Sequence, residues 1–114
     1  MNFSESEIEK CKELKKLGFQ KSWQPQVGQY LWSRQTPQGC KQISEQIHLI
    51  VDALPELQSE LWLPRFDDLI EVCRSRMISF SKITDYMHRR RFADNNEREG
   101  LYQLLIDEMR SFSK

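Results

Sequence analysis

The residues of this chain best suited to nucleophilic or metal chemistry are two histidines, His48 and His88, and three cysteines, Cys11, Cys40 and Cys73. An imidazole activates a thiol only within hydrogen-bond reach, and Cys40 with His48 is a formal pair of that kind. Nothing else in the sequence selects it, and His48 inside an apolar run reads more simply as a core or edge residue. There is no Gly-rich phosphate loop, no G-x-S-x-G, no H-E-x-x-H and no Cys/His grouping with metal spacing. The cysteines are odd in number and widely spaced, which suits neither a disulfide framework nor a C-x-x-C zinc pair. They read as reduced thiols, with Cys11 and Cys73 on buried helix faces. The expectation is a chain without catalytic residues, cofactor or metal; a small enzyme would need a pocket uniting His48 or His88 with acids that the spacing does not bring together.

Two groups are better suited to binding. His88, Arg89, Arg90 and Arg91, with Lys82 and Arg98 nearby, form the densest charge in the chain, flanked by Tyr86 and Phe92. Arginines can contact phosphate while rings stack on bases. The plainer reading is a solvated loop whose charge is offset by Asp94, Glu97 and Glu99. Tyr30, Trp32, Trp23 and Trp62 can line a groove for a partner, since aromatic residues concentrate binding energy; in a small chain the same residues also build the core. Arg65 beside Asp67 and Asp68 can belong to such a surface, or fix a turn at a helix start.

Composition bounds what these groups can do. A chain of 114 residues has room for one core, so residues 1–114 read as a single domain. At 39% apolar and 30% charged it is too hydrophobic for a disordered chain. Seventeen basic residues balance seventeen acidic ones, so no long-range field draws it to nucleic acid or anionic lipid, and any such binding needs a local patch. No apolar run approaches the ~20 residues that span a bilayer, and Met1-Asn2-Phe3-Ser4-Glu5 lacks the regions of a signal peptide. A cytoplasmic protein is expected.

The elements that must position these residues can be read in order. Ser4 and Glu7 have capping-box spacing, Phe3 and Ile8 stand at the staple positions, and Ile8, Cys11, Leu14 and Leu17 share a helical face that Gly18 ends. Trp23-Gln24-Pro25-Gln26-Val27-Gly28 reads as a rigid turn into a strand on which Tyr30 and Trp32 share a face. Thr36-Pro37-Gln38-Gly39 is a turn. Residues 43–54 fit both a helical period and a buried strand centred on Ile47-His48-Leu49-Ile50-Val51; the strand is favoured, as hairpin partner of residues 29–34. Pro55 ends it, and 56–61 read as a loop. Leu61-Trp62-Leu63-Pro64 leads into a helix with Phe66, Leu69, Ile70 and Cys73 inward. The alternation Ile78, Phe80, Lys82, Thr84, Tyr86 suggests a strand from Met77 to Tyr86. A last helix, capped by Asn95 or Asn96, turns Leu101, Leu104, Leu105, Glu108 and Phe112 with Tyr102, Ile106 and Met109 inward, and Gly100 marks close packing. The class is α+β, a small antiparallel sheet packed with N-terminal and C-terminal helices.

Two stretches, Trp23-x-Pro25-x-x-Gly28-x-Tyr30-x-Trp32 and Leu61-Trp62-Leu63-Pro64-Arg65-Phe66-Asp67-Asp68-Leu69-Ile70-Glu71, together resemble a group of short uncharacterised bacterial, phage and prophage proteins. That group pairs a W-x-P-x-x-G-D/Q-W/Y opening with a W-L-P-R-x-D-Q-L-x-E segment. The resemblance spans residues 19–110 and implies a strand region, a C-terminal helix and a bacterial or phage origin, with no activity, substrate or site residue. Asp68 departs from the Gln usual in the group. The expected function is a non-catalytic protein-interaction module, binding another protein or itself through the sheet or the terminal helices. The alternative is a nucleic-acid-binding accessory protein using Arg89 to Arg91. No membrane partner is expected.

Overall fold

Reciprocal capping starts the first helix. The Ser4 hydroxyl accepts from the Glu7 amide at 3.2 Å and the Glu7 carboxylate accepts from the Ser4 amide at 3.1 Å, so α1 runs Glu5–Lys16 with Cys11 and Leu14 buried. It ends in a Schellman turn: Phe19 N–H bonds Leu14 O and Gly18 N–H bonds Lys15 O, with Gly18 at a φ of +89°. Only a residue without a Cβ takes that conformation at no cost. The computed structural model describes residues 3–89 and 97–112; the expected Asn95 or Asn96 cap falls outside them.

Four short strands follow: β1 (Tyr30–Trp32), β2 (Cys40–Gln42), β3 (Ile47–Ile50) and β4 (Leu61–Leu63), ordered β2-β3-β1-β4 with every pair antiparallel. The ambiguous 43–54 segment is therefore a strand over Ile47–Ile50. It pairs with β1, Leu31 opposite His48, but the tight hairpin is made with β2 on its other side, a strand the sequence reading lacks. Leu61–Leu63, expected as a mere approach to the next helix, is the fourth strand. All three of its residues are buried, so the alternation that marks a half-exposed strand is missing. Residues Pro55–Ser59, expected within a loop, form a 3₁₀ turn that sinks Leu57 into the core.

The register puts Leu31, His48 and Trp62 on one face and Tyr30 and Trp32, beside Leu61 and Leu63, on the other. Helix α1 packs on the second face, with the Phe3 and Tyr30 ring centres 5.8 Å apart. The first face is closed by Trp23 and Phe19, both stacked on Trp62 at 5.2 and 5.6 Å. The outer edge of β4 is blocked by one side chain: Gln20 accepts from Trp62 N–H and donates to the carbonyls of Glu60 and Gln58. A carboxamide here does the work of a further strand's peptide.

The remaining helices are α2 (Phe66–Ser75), α3 (Phe80–Met87) and α4 (Glu97–Phe112), and α4 packs against α1, α2 and α3. The strand expected from Met77 to Tyr86 is a correction: Ser79 caps a helix there, accepting from the Lys82 amide. Ile83 and Tyr86, three apart, face the core and Phe80 does not, so the period is helical and the alternation of bulky residues coincidental. Gly100 is where α3 and α4 meet, since a Cβ would collide with the Tyr86 carbonyl. Tyr102, fully buried, donates to Pro64 O at 2.6 Å and ties α4 to the strand–helix corner.

The two ends of the chain are locked by a buried ion pair. Arg98 grips Glu7 with two nitrogens, Nε on Oε2 and Nη2 on Oε1 at 3.0 Å, while its guanidinium lies 4.4 Å from the centre of the Phe3 ring. Burial works to lower the Arg98 pKa, but the Glu7 hydrogen bond and charge outweigh it and the value is raised. Beside it Ser6 donates to Glu99 and Lys10 to Gln103. Arg98→Ala should cost about 3 kcal/mol in urea denaturation, because it removes the guanidinium that balances the buried Glu7 carboxylate. Glu7→Leu combined with Arg98→Met should recover most of that loss.

Candidate functional site

The aromatic residues of the sequence reading divide between core and surface. Trp23 and Trp62 lie in the stack with Phe19, 6% and 7% exposed, and the Trp23 indole donates to Gln29 at 3.0 Å. The Trp62 Nε1 is buried with no hydrogen-bond partner among the described residues. Tyr30 and Trp32 are half-buried, with Lys12 Nζ 4.7 Å from the Trp32 ring centre. Trp32 and Leu61 floor a shallow groove of about 890 Å³ walled by the outer side of α1. Its charges are largely spoken for: Lys12 pairs with Glu9, Lys15 donates to Ser59 O, and Glu13 holds Arg110. Arg65 forks onto Asp68 at 3.2 and 3.3 Å, and the same carboxylate accepts the Arg65 amide at 2.9 Å, which fixes the turn into α2. Tyr30, Trp32, Trp62 and Arg65 form no common surface, because Trp62 faces the opposite side of the sheet from Tyr30 and Trp32.

The basic cluster is also dispersed. Lys82 pairs with Glu108, Arg89 bonds Asp85 at 3.3 Å while lying 3.7 Å over the Tyr86 ring, and Arg98 is the inward partner of Glu7. Tyr86, read as a flanking ring, is buried and donates to Asp107 at 2.6 Å. His88 is exposed at the end of α3. Arg90, Arg91 and Phe92 lie outside the described residues.

The thiols are chemically quiet. Burial pushes Cys11 up to about 12 and Cys73 up to about 11. Cys40 and His48 sit diagonally across the β2–β3 ladder, where Gln42 faces His48 and Cys40 faces Ile50. Burial and then the charge of Glu60 raise the Cys40 pKa, the opposite of what a nucleophile needs, and the His48 Nε2 is turned to Ser33 O at 3.2 Å. Among the described residues no three His, Cys, Asp or Glu side chains group to hold a metal, and no helix there is long and apolar enough to cross a membrane.

One surface was missed by the sequence reading. Helix α2 ends in the same Schellman turn as α1, with Ile78 N–H on Cys73 O and Met77 N–H on Arg74 O, both at 3.0 Å. The position that Gly18 fills after α1 is filled here by Met77, at a φ of +60°. A side chain in that conformation costs about 1–2 kcal/mol. Met77 recovers none of it by packing, being 91% exposed, and Phe80 three residues on is 82% exposed. Ile78 between them packs against the core, so the turn is anchored and its two apolar side chains stand out. Arg74 and Arg76 flank it, both exposed, with no carboxylate within 4 Å among the described residues. The available signal was the run from Val72 to Thr84, which contains Arg74, Arg76 and Lys82 and no Asp or Glu. The alternation read as a strand concealed it.

Compared with protein-family models, curated proteins and solved structures, the chain matches none of them.

Met77→Gly should raise the stability of the fold by about 1 kcal/mol, read as a higher urea midpoint with an unchanged slope. A loss of stability would mean that the methionine packs. In the native protein at pH 8, a thiol reagent should modify one cysteine, Cys40. Cys11 and Cys73 should react only after unfolding, since both side chains are buried in the core and burial also raises their pKa values.

Proposed function

We propose that this chain is a non-catalytic protein-interaction module that docks its partner on the Met77–Phe80 turn. The observation that carries the reading is a methionine held in a glycine conformation and left 91% exposed. A residue that breaks a local rule without any compensation inside the fold is best explained by a use outside it. The two apolar side chains offer an anchor for a pocket, and the flanking Arg74 and Arg76 favour a partner surface bearing carboxylates. The surface lies at a helix–helix turn, not on the sheet or the terminal helices where it was first expected. The resemblance of the Trp23–Trp32 and Leu61–Glu71 stretches to bacterial and phage proteins supports a bacterial or mobile-element setting for the proposed module, which we take to act in the cytoplasm.

A nucleic-acid role ranks second. Lys82 and Arg89 would have to leave Glu108 and Asp85 to reach a phosphate, and Arg98 would have to leave the core.

A photo-crosslinking amino acid at position 77 should capture a discrete polypeptide in living cells, and Phe80→Ser in the same chain should abolish the adduct. The same probe at Lys41, on the exposed edge of β2, should not form it. Equal labelling from both positions, or none from 77, removes the proposal. An adduct destroyed by nuclease favours the nucleic-acid role.

A further inference from the structure

Charge is segregated along this chain although its total balances. From Gln42 to Pro64 the sequence carries Glu45, Asp52, Glu56 and Glu60 and no Lys or Arg, the reverse of the run around Met77. That acidic segment borders a shallow apolar cleft of about 290 Å³ between Pro25 and Pro55, floored by Ala53 and Leu54. Val27 and Val51, close in the chain to the lining residues Pro25 and Ala53, are 65% and 43% exposed, in two segments held together by the Gly28 N–H bond to Ile50 O at 3.0 Å. Asp52 and Glu56, next in the chain to the lining residues Ala53 and Pro55, are exposed.

The molecule therefore carries an apolar knob that follows two arginines in the chain and an apolar cleft whose lining residues Ala53 and Pro55 adjoin two carboxylates. A polar cleft links them. Gln24 lines the apolar cleft and also this polar one, which Ser75 and Arg76, just before the knob in the chain, line as well. A knob and its complement on one side can be satisfied twice by a two-fold axis, each copy's knob entering the other's cleft. Opposite ends of the molecule would instead build an open chain.

We propose that the partner of the Met77–Phe80 turn is a second copy of this chain, in a closed two-fold dimer. Phe80 and Met77 of each copy sit in the Pro25–Pro55 cleft of the other, and Arg74 and Arg76 face Asp52 and Glu56. This rests on the reading of the turn as a docking surface and adds the identity of what docks. A stable dimer of this type covers about 800 Å² per partner, roughly a tenth of the 7239 Å² surface. The pairs lie at an exposed rim, so they set orientation, and the dimer weakens as salt screens them.

The test is a charge swap read by sedimentation equilibrium. One variant carries Arg74→Glu and Arg76→Glu, the other Asp52→Lys and Glu56→Lys; all four positions are exposed, and circular dichroism verifies each fold. The wild-type chain should be a dimer whose dissociation constant rises with salt. Each variant alone should dissociate about 100-fold more readily, because its knob and cleft then carry the same sign. Mixed one to one, the variants should pair again, since every contact in the mixed dimer is opposite in sign. A wild-type monomer at the highest attainable concentration, dimerisation of either variant as tight as wild type, or a mixture that stays monomeric would overturn the proposal. Crosslinking from position 77 separates the two ideas: an adduct with a different polypeptide beside a monomeric wild type ends the dimer and leaves the interaction module standing.

Discussion

The fold depends on one buried ion pair that joins residues 91 apart in sequence, Glu7 and Arg98. Glu7 serves three structures at once. It closes the capping box that starts α1, it receives the guanidinium of α4, and through that guanidinium it fixes the Phe3 ring against the half-buried Tyr30. A charge pair of this kind contributes little net stability, because desolvation offsets most of the attraction. What it imposes is uniqueness: α4 can dock on α1 in one register, since any slip would leave a carboxylate stranded in the core. From α4 the same constraint passes to α3 through Gly100 and to the corner between β4 and α2 through Tyr102.

The sheet needs that support because it is small. Three of its strands have three residues each, too short to hold together by their ladders alone, so side chains complete what the backbone begins. Gln20 shows how. By bonding the amide of Trp62 and the carbonyl of Glu60 it ends the sheet at β4 without a fifth strand, and the residues on either side of it, Phe19 and Trp23, stack on the same Trp62 ring. Trp23 and Trp62, two of the aromatic residues that invited a binding role, are thus committed to closing one face of the sheet. At β2, by contrast, Lys41 and Gln42 stand open to solvent.

Polar side chains elsewhere follow the same economy. Lys82, Arg89 and Arg98 of the basic cluster pair with Glu108, Asp85 and Glu7, whereas Arg74 and Arg76, close in the chain to the exposed Met77 and Phe80, have no carboxylate within 4 Å among the described residues. The contrast between the two Schellman turns carries most of the functional argument. Where α1 ends, glycine relieves the backbone; where α2 ends, methionine is kept in the same strained geometry and held out to solvent. The fold gains nothing from that choice.

The sequence by itself determined the local structure. The start of α1 was legible because Ser4, Glu7 and Gly18 act on atoms within a turn of themselves. The inward faces of α2 and of α4 from Leu101 to Met109 were legible because period and burial coincide there, as was the strand at Ile47–Ile50 from its β-branched, apolar run; Glu108, expected inward, is half-buried and pairs with Lys82, and the Phe112 side chain lies outside what the structure describes. The α+β class followed from the order of such elements. The tertiary structure alone decided what rests on neighbours distant in the chain. Leu61–Leu63 became a strand because β1 supplies a ladder and both of its faces are covered, so no alternation records it. Residues 80–87 became a helix because Ser79 caps it and α4 buries Ile83 and Tyr86, which overrode a misleading alternation. Arg98, read as part of a surface cluster with Arg89, turned inward because Glu7 waits for it 91 residues upstream. Burial and pairing are properties of the assembled core, and for that reason the exposure of Met77 and Phe80 is visible only in the tertiary structure.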